Sequence, residues 1–279
     1  MQGPSVAFPD SDVTTEAQSA PGDAAPSQAP EQTASREDPA VLQPAEPDFR
    51  ITNLPTTMRL PRNKLSFDLT HRFGGNLTQK SFQENVESLF GLDDGAAVGL
   101  ELRYGVTDNI QAGIYRTNLD RTIQFYGRWD ALRQASGLPV SASLFLGVEG
   151  TDNFSDDKTP ELGAVISRKI DEHAALYAEP IWIHNVAPRL GETRDTFLFG
   201  MGGRVRVLST VYVTAEVSPR VAGYNPLGAA YAFGIEKRAG GHMFQLNFGN
   251  TAQSTLAQIA RGARSDSLFM GFNLTRKFF

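Results

Sequence analysis

Residues 269–279 read FMGFNLTRKFF, and the alternation in this stretch decides the fold. In an extended strand successive side chains point to opposite faces. Leu268, Met270, Phe272, Leu274 and Phe278 therefore share one face, and Gly271, Asn273, Thr275 and Lys277 share the other. One face is apolar and the other polar. The apolar face needs a cover, which is a second protein layer in water or lipid in a membrane.

The same period of two recurs from residue 63 onward. NKLSFDLTHRF places Leu65, Phe67, Leu69 and Phe73 opposite Asp68, Thr70 and Arg72, and GAAVGLELRYGV places Val98, Leu100, Leu102, Tyr104 and Val106 opposite Gly99, Glu101, Arg103 and Gly105. Repeated along the chain, the pattern predicts about twelve strands of about ten residues, the length a tilted strand needs to cross a bilayer. Short turns at 107–109, 171–173, 208–210 and 238–241 alternate with longer connections around 79–94, 150–161, 185–195 and 250–266. The insertion ALRQASGL on the short-turn side and the brief TNLD and YNPLG on the other bend this rule without breaking it. Loops sorted by length between the two ends are the mark of an outer-membrane barrel; a soluble sandwich has no cause to sort them.

Charge is partitioned in the same sense. Asp68, Arg72, Glu101, Arg103, Arg128, Glu149, Glu179, Arg204, Arg206, Glu216, Arg220, Glu236 and Lys277 all fall on the face opposite the apolar rows. Arg116, Arg168 and Arg276, on the apolar rows, lie near strand ends where they can reach headgroups. An Arg or Lys facing lipid at mid-depth costs about 2–4 kcal/mol, so the apolar rows are read as lipid-facing and the charged residues as the lining of a lumen. The fold expected is all-β: a closed antiparallel up-and-down transmembrane β-barrel, residues 51–279. Its last strand pairs with the first near residues 63–73, so that no edge remains. Phe272, Leu274, Phe278 and Phe279 form a terminal aromatic pattern of the kind engaged by barrel insertion machinery, with Phe279 on the polar row.

Residues 1–50 have a different character. They carry nine acidic residues against Arg36 and Arg50, and 8 of the 16 prolines. Such a stretch buries too little apolar surface to offset its ordering entropy and is read as a disordered acidic tether. Without it the net charge of −5 becomes about +2, so no strong field points to nucleic acid. The absence of cysteine excludes a disulfide scaffold, thiolate metal sites and a cysteine nucleophile.

LPTTMRLPRNKLSFDLTHRF, followed by GLDDGAAVGLELRYGVTDNIQAGIYRTNLDRTIQFYGR, resembles a bacterial family classed only as a β-barrel domain of unknown function, over residues 54–279. The resemblance implies an outer-membrane barrel and assigns no functional residue.

No motif points to catalysis or to a cofactor. His71, His173, His184 and His242 are scattered at strand ends with no G-x-S-x-G nucleophile, and TDNFSDDKTPE has Asp157 where a calcium loop of the EF-hand type needs glycine. The stretch QKSFQENVESLFG has Phe82, Val86, Leu89 and Phe90 on one helical stripe, which either enters the barrel mouth as a constriction or caps the rim. Small inward residues such as Gly99, Gly113, Gly200 and Gly202 argue for a narrow open lumen, whereas the balanced charges argue for a polar plug. Two functions follow as expectations: a passive pore for small polar solutes, with no cofactor, or a non-conducting docking barrel whose tether binds a periplasmic partner. In both, the protein's surroundings are outer-membrane lipid.

Overall fold

The structure is a computed structural model that describes residues 45–134, 137–187 and 193–279. Most of the expected tether, 1–44, and parts of two expected connections, 135–136 and 188–192, lie outside the described residues.

Antiparallel strands follow one another around a single closed sheet. They are β1 (Leu65–Phe73), β2 (Ala96–Gly105), β3 (Ile110–Thr117), β4 (Ile123–Leu132), β5 (Ser141–Gly150), β6 (Asp156–Ile170), β7 (Ala174–Ile183) and β8 (Thr196–Leu208). Next come β9 (Val211–Ser218, resumed after Pro219 at Arg220–Gly223), β10 (Ala230–Ala239), β11 (His242–Gly249) and β12 (Phe269–Phe278). Both parts of β9 pair with β8, so they form one strand interrupted where proline removes a ladder donor, and the barrel has twelve strands. Closure is made by β1 and β12, in register from Leu65 opposite Phe278 to Arg72 opposite Gly271.

The alternation read from the sequence becomes an inside and an outside. On β2, Leu100, Leu102 and Tyr104 are exposed while Glu101 and Arg103 are buried. In a closed sheet, the buried row is the lumen and the exposed row meets lipid. Short turns and longer connections alternate, except that residues 156–161, expected within a long connection, belong to β6 and leave only 151–155 between β5 and β6; both the start of β1 and the end of β12 lie at the short-turn end. Among the described residues no helix is long and apolar enough to cross a membrane; the strands cross it.

Candidate functional site

The lumen is occupied. Residues 45–60, which precede β1, run into the barrel from the short-turn end and are buried along almost their whole length. The expected domain boundary at residue 50 therefore falls inside this segment. Its local shape is a tight hairpin: the Thr56 N–H donates to the Phe49 carbonyl at 2.9 Å, and the Ile51 N–H to the Leu54 carbonyl at 2.8 Å. Phe49, Ile51, Leu54, Met58 and Leu60 are each at most 2 % exposed. Full burial of a side chain of this size stabilises by about 1.5–3 kcal/mol.

The barrel wall bonds to the main chain of this hairpin. Arg204 donates to the Arg50 carbonyl at 2.6 Å, Gln245 to that of Ile51 at 2.5 Å and Asn273 to that of Thr52 at 2.8 Å. Lys277 donates to the Pro47 carbonyl, and the Arg128 guanidinium spans the carbonyls of Thr56 and Met58. At the tip, the Glu216 carboxylate accepts from the N–H groups of Thr52, Asn53 and Leu54 at 2.9–3.1 Å and from the Asn53 side-chain amide at 2.9 Å. A buried peptide group must find a partner, and here the wall provides partners that strand pairing would provide elsewhere.

Charges of the hairpin join those of the wall. Arg50 lies between Asp68, at 3.3 Å, and Glu101, which also accepts from Arg103 at 2.6 Å and from the Tyr126 hydroxyl. The Arg103 guanidinium stacks over the Phe49 ring at 4.6 Å. Arg204 is paired with Glu236 at 2.6 Å. Such pairs in a desolvated lumen are held strongly only because each charge has hydrogen-bonding partners on several sides.

From the long-loop end the lumen is filled by a different element. The connection between β11 and β12 carries a short helix, Leu256–Ala260, in which every residue is buried. Thr255 and Gln258 form its capping box, and the Ala257 N–H donates to Glu161 at 3.2 Å. Leu256, Ala257 and Ala260 belong to one apolar cluster with Ile51 and Leu54 of the hairpin and Tyr177, Ile181, Ile183 and Leu198 of the wall. Where hairpin and helix meet, a cavity of about 20 Å³ remains, lined by Arg50, Asn53, Arg103, Tyr126, Phe145 and Leu256 among others, room for about one water.

Asp68, Arg72, Glu101, Arg103, Arg128, Glu149, Glu179, Arg204, Glu216, Glu236 and Lys277 are all buried on the inner face. Arg206 sits at the short-turn rim, 3.7 Å from Glu172 of the turn between β6 and β7, and Arg220 is turned to Asn225 and the carbonyls of Leu227 and Gly228 at the opposite rim. Neither reaches the charge cluster around the hairpin. Both Glu179 carboxyl oxygens are buried without a hydrogen-bond partner among the described residues. Phe272, Leu274 and Phe278 alternate with the buried row of β12, and Phe279 packs with Phe49, Met58 and Leu60.

The small inward residues do not leave an open lumen. A Cβ on Gly202 would stand 2.5 Å from Ile51, and one on Gly113 would stand 2.3 Å from the Tyr126 ring, so these glycines make room for the hairpin and for wall tyrosines. The apolar stripe at 82–90 is not a constriction either. Phe82 is 78 % exposed, and the helix that enters the mouth is Leu256–Ala260. Asp152 of the acidic connection is paired with Arg121 at 2.5 Å. Sequence reasoning missed the hairpin and its partners Gln245 and Asn273. The available signal was the return of apolar residues from Phe49 onward, directly after the proline-rich stretch.

The profile of a family described as a membrane bound beta barrel domain, DUF5777, matches residues 47–278. The chain belongs to this family. The match spans the hairpin as well as the twelve strands, so the lumen segment lies within the family's domain. No curated protein matches the chain. Of solved structures, the KdgM porin is similar with a TM-score of 0.52 at 7 % identity, covering 77 % of this chain and 99 % of that one. The NanC porin gives a TM-score of 0.49 at 7 % identity, covering 77 % and 100 %. At such identity the KdgM likeness is one of fold: this membrane-bound chain has a porin-like barrel.

Proposed function

We propose that the protein is a bacterial outer-membrane channel for small polar solutes whose lumen is closed by its own residues 45–60, so that a solute passes only after the hairpin has left. The observation that carries this reading is the bonding of wall side chains to the hairpin main chain, from Lys277 on Pro47 to Glu216 on the tip. Polar partners of this kind can be exchanged for water with little net cost, because an intramolecular hydrogen bond contributes only about 0.5–1.5 kcal/mol beyond the one it replaces, so the cost of departure lies mainly in exposing Phe49, Ile51, Leu54, Met58 and Leu60. With the hairpin gone, Arg72, Arg103, Arg128, Arg204 and Lys277 would face Asp68, Glu101, Glu216 and Glu236, a charged and nearly balanced path. The reading assigns passage, not catalysis. Residues 1–44 continue the hairpin's N-terminal side and would act as a periplasmic tether, and Phe272, Leu274, Phe278 and Phe279 would engage the insertion machinery during assembly.

The test is planar-bilayer conductance of three refolded forms. The full chain is expected to be silent, and a chain lacking residues 1–60 is expected to show discrete openings. The third form exploits the absence of native cysteine: Thr57 Oγ1 and Ser167 Oγ are 2.5 Å apart, so T57C/S167C can lock the hairpin by a disulfide. Steady openings of the oxidised, locked form would overturn the reading. The buried helix Leu256–Ala260 favours a second reading, a non-conducting docking barrel. A folded chain lacking residues 1–60 that stays silent would select it.

A further inference from the structure

We infer that the connection between β1 and β2 is a lipid-surface anchor, with the apolar stripe of residues 82–92 seated in the acyl-chain region of the leaflet on the long-loop side. The chain leaves β1 at Phe73, the last residue of the lipid-facing row, whose ring lies 4.6 Å from His71 and 6.2 Å from Phe272. The Leu77 N–H donates to the Leu268 carbonyl at 2.8 Å, the Leu268 N–H donates to Asn76 Oδ1 at 3.0 Å, and Asn85 Nδ2 donates to the Leu77 carbonyl at 2.9 Å. These bonds tie the connection to the start of β12, at the seam where β1 and β12 close the barrel, and the turn Leu89–Asp94 lies against the same two strands.

A helix, Phe82–Glu87, starts on the capping box of Ser81 and Glu84. From this helix and the following turn, Phe82 is 78 % exposed, Leu89 56 %, Leu92 49 %, Val86 43 % and Phe90 38 %. Leu89 and Phe90 also hold left-handed backbone, with φ of 46° and 56°, a conformation that residues of this kind rarely adopt. A segment pinned by hydrogen bonds yet presenting five large apolar side chains outward needs an apolar neighbour. The lipid-facing rows of β1 and β12 reach the seam to which the segment is tied, so the acyl chains that cover those rows are the neighbour at hand. Gln83, Glu84 and Glu87 mark the polar side, as expected of a short interfacial helix. The inference needs only membrane insertion and is independent of whether the lumen conducts.

Site-directed tryptophan quenching tests it in the full chain, reconstituted in nanodiscs, with Trp129 and Trp182 replaced by Phe. F82W and L89W are each expected to lose most of their emission when the nanodisc lipid carries bromine on its acyl chains, and to resist iodide. Q83W, on the polar side, is expected to respond the other way. Quenching of F82W and L89W by iodide with no effect of brominated lipid would overturn the inference. Resistance to both quenchers would overturn it too, and would point to a second copy of the chain as the covering surface. Because each tryptophan replaces a single exposed side chain, heat-modifiable migration establishes that the variants are folded.

Discussion

Residues 45–60 and the helix Leu256–Ala260 enter the same lumen from opposite ends, and different forces hold them. The hairpin is held through its main chain, by Arg128, Arg204, Gln245, Asn273, Lys277 and Glu216, as well as by its buried apolar side chains and the Arg50 ion pairs. The helix is held through its side chains, by the apolar cluster that Leu256, Ala257 and Ala260 share with the wall. Water can substitute for the hairpin's main-chain partners, whereas exposing the buried apolar side chains of either filler costs about 25 cal/mol per Å². On the proposed function the hairpin, with its many polar contacts, is the exchangeable filler and the helix the fixed one. They meet through Ile51 and Leu54, the two hairpin residues that belong to the cluster.

The comparison breaks most directly at Glu216. Replacing it by Ala strands three buried main-chain donors and the Asn53 amide, and is expected to weaken hairpin docking by about 3–5 kcal/mol. Amide exchange at Thr52–Leu54 should accelerate and openings should appear in the full chain, while Glu216→Gln, which keeps an acceptor, should do less. Unchanged exchange in the Ala variant would mean that the carboxylate does not hold the tip.

Leu256→Ala addresses the fixed filler. A cavity in a packed cluster costs about 2–5 kcal/mol, so the melting temperature in detergent should fall while the full chain stays silent, because the hairpin still fills the lumen from the short-turn end. Openings from this variant would contradict the division of labour between the two fillers. Smaller still is Thr255→Ala, which removes the cap of the buried helix and should cost about 0.5–2 kcal/mol in the same melting experiment.

The smallest effect concerns the other capped helix, which lies outside the lumen. The Ser81 N–H and hydroxyl hold the Glu84 carboxyl below the usual carboxylate range. A depressed folded value contributes stability above the unfolded value that is lost as pH falls through the folded one. The protection of the Ser81 amide relative to its intrinsic exchange rate should therefore fall only on acidification below the ordinary glutamate range, with the lumen hairpin unaffected at the onset.

Both helices begin on the same local signal, Ser81 with Glu84 and Thr255 with Gln258, yet one is exposed beside the seam and the other buried in the mouth. Capping is a matter of a few neighbouring residues, so it is legible in sequence. What a helix packs against is set by residues far along the chain, so its destination is not. The same holds for the lumen: Arg204, Glu216 and Lys277 look alike in sequence whether they face water or a peptide backbone. Their inward direction could be read from alternation, but their engagement with residues 45–60 could not.

The sequence by itself determined the closed barrel of about twelve strands and the division of charged from apolar rows, because a two-residue period assigns every side chain to one of two faces. Only the tertiary structure decided that the lumen is filled, by which segments, and that glycines such as Gly202 yield space to Ile51 and not to solvent. Filling depends on volumes and hydrogen bonds between residues from 51 to 230 positions apart, which no local pattern encodes.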